Sequence, residues 1–344
     1  MKKLLSSLLF IFYFTPLCAQ PDMISDGTID QNVPELPGKT VQLVKLKLST
    51  KAENFLSQHI QLTDRQKPQI KLADAGISSA VQLGMNNIPV LDQGQHGTCV
   101  TFATTAILDA LIGRGDYISQ VCTLALNQYI STHGYTQSSW GGALPKNVFS
   151  QIEMFGIVNK DKQKQYGCGG LTEYPNQSGD PNNEIAVDNF HDISENINNL
   201  ADFDTSILVD AYQFFKQETS MSKIEMDVKT ALNNGDRLTI GTIVIPDSYV
   251  GIYGKNHAVH DTWVLSSEVI NYIHAQKDLA GHAMIITGYD DNAIATDGNG
   301  KTHKGLFTLR NSWGEQAGDK GNYYMSYDYF RNLAFDIVRV RKLK

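Results

Sequence analysis

The sequence predicts an α+β chain, and three observations predict it. A helical stripe of apolar residues, Phe102, Ala103, Ala106, Ile107, Ala110 and Leu111, follows Cys99 and stops at Gly113. Residues 41–48 alternate as a strand does, with Val44, Leu46 and Leu48 on one face and Lys45 and Lys47 on the other. Residues 282–289 form a second strand-like run, apolar and opening on a histidine. A chain of 344 residues that is 42% hydrophobic and 19% charged holds one large domain or two small ones around a real core. Its net charge of −7 gives no basic footprint for nucleic acid or an anionic membrane.

Taken in order, the chain opens with a basic start, Met1 to Lys3, then an apolar run over 4–14 and a small Ala19. That layout predicts a signal peptide over 1–19, too short for a spanning helix. Bulky Leu17 argues against lipidation of Cys18. No later uncharged apolar stretch reaches membrane length, so the mature protein is expected outside the cytoplasm, extracellular or periplasmic, and free of the membrane. With Cys18 removed, Cys99, Cys122 and Cys168 remain, an odd number that predicts one pair and one free thiol. Counting alone does not rank the three pairings. Residues 20–38 read as a flexible polar leader. Val41 and Leu43 share the lysine face of the following strand, so its alternation is imperfect. Ser49 or Thr50 can cap a short helix through Ile60, which ends in the polar stretch 63–67.

The chemistry starts at Asp92-Gln93-Gly94-Gln95-His96-Gly97-Thr98-Cys99. Thr98 suits an N-cap, which places Cys99 in the first helical turn, where free N–H groups and the macrodipole favour thiolate. Gly94 and Gly97 let the loop pass close to a substrate. Gln93 can offer an amide donor beside the sulfur. By itself this describes a small buried cysteine at a helix start. A nucleophilic thiol also needs an imidazole to take its proton, and a partner that fixes the imidazole's tautomer. His282 heads the apolar strand-like run, and Asn311 opens the block Asn-Ser-Trp-Gly over 311–314, with Trp313 placed to shield the bond between them.

These segments, in this order, resemble the papain-like cysteine peptidases. Gln93, Gly94, Gly97 and Cys99 match that family's nucleophile motif, with Gln93 six positions before Cys99; His282 with Ala283, and residues 311–314, match its other two motifs. Gly141 and Gly142 resemble the glycine pair whose backbone binds extended peptide, and residues 318–324 resemble the glycine-punctuated strand after the tryptophan. The resemblance implies a two-domain fold, a helical left domain with Cys99 and a β-rich right domain with His282 and Asn311, with substrate extended in the cleft. It implies Cys99 as nucleophile, His282 as base and then acid, Asn311 as orienter, and Gln93 with the Cys99 N–H as oxyanion hole. Gly141, Gly142 and Trp313 are its substrate-binding positions.

Departures accompany the match. His96 and Ser139 stand where many relatives carry a disulfide, Val100 and Ala317 replace tryptophans, and Gly281 precedes the histidine. Cys122 and Cys168 flank the glycine pair and, Cys99 being assigned, are the expected disulfide. Residues 159–223 read as a long loop and then a helix over the apolar run 208–215; residues 245–280 read as a loop able to overhang the cleft. There His257, His260 and Asp261 fit solvated loop groups better than metal ligands. Residues 297–301, Asp-Gly-Asn-Gly-Lys, suit a hairpin turn better than a calcium loop, because Thr308 stands where the bidentate Glu belongs. No metal and no cofactor are expected. The family is made with inhibitory pro-segments, so residues 20–76 are expected to cover the cleft of a catalytic domain over 77–344, or to be a permanent accessory element. The expected function is a secreted thiol peptidase acting on peptide or protein through an acyl-enzyme. A catalytically silent binding protein on the same fold, or an acyl transferase using the same intermediate, is the alternative.

Overall fold

The computed structural model describes residues 21–65, 76–175, 181–217, 220–246, 252–254 and 260–343. The expected signal peptide, with Cys18, and His257 lie outside them. A hairpin of β1 (Met23–Asn32) and β2 (Thr40–Leu48) leads into α1 (Thr50–Arg65) and, further on, β3 (Ala80–Gln82). Five helices follow: α2 (Cys99–Ile112), α3 (Gln120–Thr132), α4 (Pro145–Phe155), α5 (Lys160–Tyr166) and α6 (Val187–Ile193). The remainder is β4 (Phe203–Val209), α7 (Ala211–Lys216), α8 (Met221–Asn233), β5 (Arg237–Val244), β6 (Ile252–Tyr253), β7 (Thr262–Trp263), α9 (Ser267–His274), β8 (Leu279–Thr296), β9 (Thr302–Arg310), β10 (Asn322–Ser326), α10 (Tyr327–Leu333) and β11 (Ala334–Lys342). Helices thus gather on the Cys99 half and long strands on the His282 half, the expected α+β division. Among the described residues, no helix is long and apolar enough to cross a membrane.

The strands run in the order β4-β11-β5-β8-β9-β10-β7-β6, and β2 and β3 also pair with β8. The 18-residue β8 organises the sheet. On one side it pairs with β5 and then β3. On the other it pairs first with β2, Val44 lying opposite Gly281, and then with β9 from Ile285 onward. Between those ladders, among the described residues, His282, Ala283 and Met284 have no strand partner on that side. The fold therefore leaves an opening in its central strand, and His282 stands in it.

Helix α2 faces this opening. It is apolar on nearly every side, and residues 99–111 are all buried, as a helix without a polar face must be. Gly113 ends it in the left-handed region, φ 76°. Cys122 and Cys168 form a disulfide between α3 and the loop after α5, while Cys99 is free.

Three local readings are corrected. Residues 23–32 are not a flexible leader: polar as they are, they form β1, held by backbone pairing to β2. The apolar run 208–215 is not one helix but the end of β4 and then α7, separated by Asp210, which caps α7 in a reciprocal pair with Gln213. The mixed alternation in β2 arises because its two halves bury opposite faces, Val41 and Leu43 on one, Val44 and Leu46 on the other. As expected, residues 297–301 are the β8–β9 turn, the Asp297 carboxylate accepting from the N–H groups of Asn299 and Lys301 at 2.9 and 3.0 Å.

Candidate active site

Cys99 and His282 line one cavity of about 290 Å³ between α2, α4 and the opening in β8. The His282 Nε2–H donates to Asn311 Oδ1 at 2.7 Å. That oxygen also accepts from the Ser312 N–H at 2.8 Å, which fixes which end of the amide faces the ring. With Nε2 carrying the hydrogen, Nδ1 is left as the basic nitrogen, and it is buried without a hydrogen-bond partner. Trp313 stacks on the imidazole, centroids 4.9 Å apart and planes at 28°, and closes the His282 to Asn311 bond from solvent. Trp313 itself is 1% exposed, so its ring covers the histidine and does not line the cavity.

Gln93 is anchored at both ends. Its N–H donates to Ser312 O at 2.9 Å, and its side-chain oxygen accepts from Ser312 Oγ at 2.7 Å. Its amide nitrogen donates to His96 O and to Gln42 O, each at 3.0 Å. The donor expected in the oxyanion hole is thus occupied by a backbone carbonyl of β2.

The same hairpin also meets the glycine pair, Asp92 and Trp313. Met23, Ile24, Ser25, Val44 and Leu46 form one wall of the cavity. Ser25 Oγ donates to Gly141 O at 3.3 Å. Gly142, at φ +123°, has no room for a side chain: a Cβ there would lie 2.6 Å from Val44 Cγ2. Lys39 bonds Asp92 at 2.5 Å and Trp313 O at 2.8 Å. Of the glycine pair, Gly142 lines the cavity and Gly141 does not.

Under this cover both reactive groups are neutral. Burial pushes the Cys99 thiol up to about 11, against the opposing pull of the Ala283, Val100 and Cys99 N–H groups. Burial likewise pushes His282 down to about 4, although its bond to Asn311 favours the charged form.

Two further expectations meet the structure differently. Thr98 occupies the N-cap position of α2, but its side chain makes no capping bond; its hydroxyl is turned to Tyr174 Oη, 2.8 Å away. His96 and Ser139 carry no bridge; instead His96 packs edge-on against Trp140, at 5.1 Å, and Tyr174, at 5.6 Å. Lys39 and Gln42 carry no local signal, because their contacts cross 53 and 51 positions and Gln42 acts through its backbone. Among the described residues no group of three His, Cys, Asp or Glu could hold a metal ion.

Residues 211–343, which hold His282 and Asn311 but not Cys99, match the Peptidase C1-like family. Aminopeptidase C of Lactobacillus helveticus is 30% identical over 112 residues, 31% of this chain and 23% of that protein, so the chain spans about a quarter of that curated relative's length. Xylellain, a cysteine protease from Xylella fastidiosa, shares the fold at a TM-score of 0.53 and 19% identity, over 81% of this chain and 91% of its own. The clostridial cysteine protease Cwp84, in its form after propeptide cleavage, shares it at 0.50 and 18% identity, over 78% and 59%.

Proposed function

We propose that this chain is a papain-like cysteine peptidase, that it is exported and made with its active site covered, and that it hydrolyses peptide bonds through an acyl-enzyme on Cys99. The observation that carries this reading is the juxtaposition of a free cysteine at a helix start with an Asn311-oriented imidazole across one cavity. His282 Nδ1 takes the Cys99 proton, and the thiolate attacks the carbonyl carbon. The Cys99 N–H and the Gln93 amide hold the oxyanion once Gln42 leaves. The imidazolium then protonates the departing amine, leaving a thioester that water, deprotonated by His282, hydrolyses. The cavity walls Ala143, Leu144, Pro145, Ala283 and Phe335 are apolar, which favours an apolar substrate side chain beside the scissile residue.

Residues 21–65 act in this reading as the cover of a zymogen. Helix α1 anchors it, with Phe55, Leu56 and Ile60 buried and Phe55 edge-on to Phe214 and Phe215 at 5.5 and 5.8 Å. The hairpin is the plug. A free thiol beside a disulfide supports export, where one pair forms and the nucleophile stays reduced in a closed site.

Incubating the purified precursor should yield a shorter form that cleaves peptides and loses that activity on Cys99→Ala. A precursor carrying Cys99→Ser that is processed equally fast alone would remove self-cleavage from the scheme. A processed protein whose Cys99 reacts with iodoacetamide no faster than free cysteine at mildly acid pH would be a silent binder. Product formed only when an amine is added would make it a transferase.

A further inference from the structure

His96 lies in the nucleophile loop between Gln93 and Cys99, outside the expected catalytic set, and is 2% exposed. Its backbone and its side chain make separate contacts. The carbonyl accepts from Gln93 Nε2 at 3.0 Å. The ring reaches out of the loop. Its Nε2–H donates to Pro175 O at 3.2 Å, and it packs edge-on against Trp140 at 5.1 Å and Tyr174 at 5.6 Å. Trp140 precedes the glycine pair, and beside His96 the two loops run backbone against backbone. A Cβ on Gly97 would lie 3.1 Å from both Trp140 O and Gly141 C. The imidazole therefore braces the nucleophile loop against the glycine-pair loop and the loop that follows the disulfide.

The geometry of the Gln93 amide is the second observation. A glutamine amide holds one acceptor oxygen and two N–H donors in a single plane. Here the Ser312 hydroxyl donates to the oxygen at 2.7 Å, while His96 O and Gln42 O each take one hydrogen at 3.0 Å. When the hairpin leaves, Gln42 O leaves with it and one hydrogen becomes the free donor. A single bond at Oε1 would let the amide plane turn. The bond to His96 O fixes the plane, and with it the direction of the remaining N–H.

We infer that His96 is a positioning residue: its ring, braced on Trp140, Tyr174 and Pro175, sets where its carbonyl stands, and that carbonyl aims the Gln93 hydrogen freed by Gln42 at the oxyanion.

The inference rests on the acyl-enzyme reading, in which Gln93 serves the oxyanion, and its test compares two reactions of one thiol. Iodoacetamide is attacked at a saturated carbon, which loses iodide and builds no oxyanion; peptide hydrolysis builds one. The rates kcat and KM and the iodoacetamide rate are measured on chains incubated to constant thiol reactivity, for wild type, His96→Ala, Gln93→Ala and the double variant. His96→Ala should lower kcat about tenfold, part of the 10²–10³ that loss of the whole donor costs, with KM and the alkylation rate unmoved. In the Gln93→Ala chain the same substitution should cost nothing further. A loss that persists in Gln93→Ala, a parallel fall in alkylation, or an unchanged kcat overturns the inference. Should His96→Ala fail to fold, His96→Phe keeps a ring and removes only the bond to Pro175 O. A fall in its kcat with alkylation unmoved supports the inference, and any other result overturns it. A wild-type chain that alkylates at Cys99 but hydrolyses no peptide sinks the proposed function and this inference with it, whereas the outcomes above overturn the inference alone.

Discussion

Acid should open the covered enzyme, and His282 should be the reason. Its folded pKa of about 4 lies below the ordinary 6.5, a difference of 6.5 − 4 = 2.5 units caused first by burial. A depressed histidine stabilises the covered state fully above pH 6.5 and loses that stabilisation as pH falls from 6.5 through 4. At 1.36 kcal/mol per unit, the open state gains about 3 kcal/mol between pH 7 and pH 4, roughly a hundredfold in the opening equilibrium. This is a ceiling, since Trp313 still covers one face of the ring after the hairpin leaves. Glu35, near the hairpin tip, works in the opposite sense. Burial raises its pKa, so its protonation at low pH favours the docked tip. The measurement is therefore made in a Glu35→Gln chain that also carries Cys99→Ala to prevent self-cleavage. Deuterium uptake at the backbone amides of residues 40–48, corrected for intrinsic exchange, should rise toward a hundredfold by pH 4. The same chain with His282→Gln should show no such rise. Equal protection at pH 7 and pH 4, or the same loss of protection without His282, refutes the reasoning.

Other outcomes follow from the same geometry. Gln93→Ala should lower kcat of the activated enzyme by about 10²–10³ through loss of one oxyanion donor, and should speed opening of the precursor by releasing Gln42. Replacing Cys122 and Cys168 by serine frees a loop with a sequence separation of 46 and should lower urea-measured stability by about 4 kcal/mol. His303 lies between Asp328, at 2.7 Å, and Asp297, at 3.4 Å; burial lowers its pKa, but its bonds to the two carboxylates outweigh burial and raise it above 6.5. Its contribution is thus fully present below pH 6.5 and is lost as pH rises through the folded value. The melting temperature should fall over that interval, and His303→Gln should remove the dependence.

The candidate site was legible because its chemistry is carried by side chains in short motifs. Cys99, His282, Asn311 and Gln93 each stand in a segment whose residue types declare a role, and the fold brings them to one cavity. The helix after Cys99 was legible for a related reason, its period and its Gly113 stop being local. β1 was not, because its stability lies in a ladder to β2 and in contacts with the cleft, while most of its own residues are polar. At 208–215 the capping pair Asp210 and Gln213 was present in the sequence, but an apolar run across a strand end and a helix start has the look of one helix. Thr98 makes no capping bond, its backbone at φ −95° and ψ 12° not being extended as a capping residue's is, and its hydroxyl meets a tyrosine 76 positions away that no local propensity encodes.

In the proposed scheme the hairpin covers the site by borrowing a donor that the reaction needs. Buried polar groups must find partners, and an empty oxyanion hole in a closed site would leave a buried amide hydrogen unpaired. Gln42 O meets that requirement for Gln93, while β2 satisfies the start of β8 up to Gly281 and stops short of His282. His282 Nδ1 is among the buried atoms left without a hydrogen-bond partner, and in the proposed scheme it is the atom that has to receive the thiol proton. A cover that also donated a hydrogen bond to Nδ1 would hold the neutral histidine more tightly and would lower its covered pKa further. With Nδ1 unpaired, burial is what lowers the histidine's pKa while covered, and in the proposed scheme that lowered pKa lets falling pH drive the hairpin away.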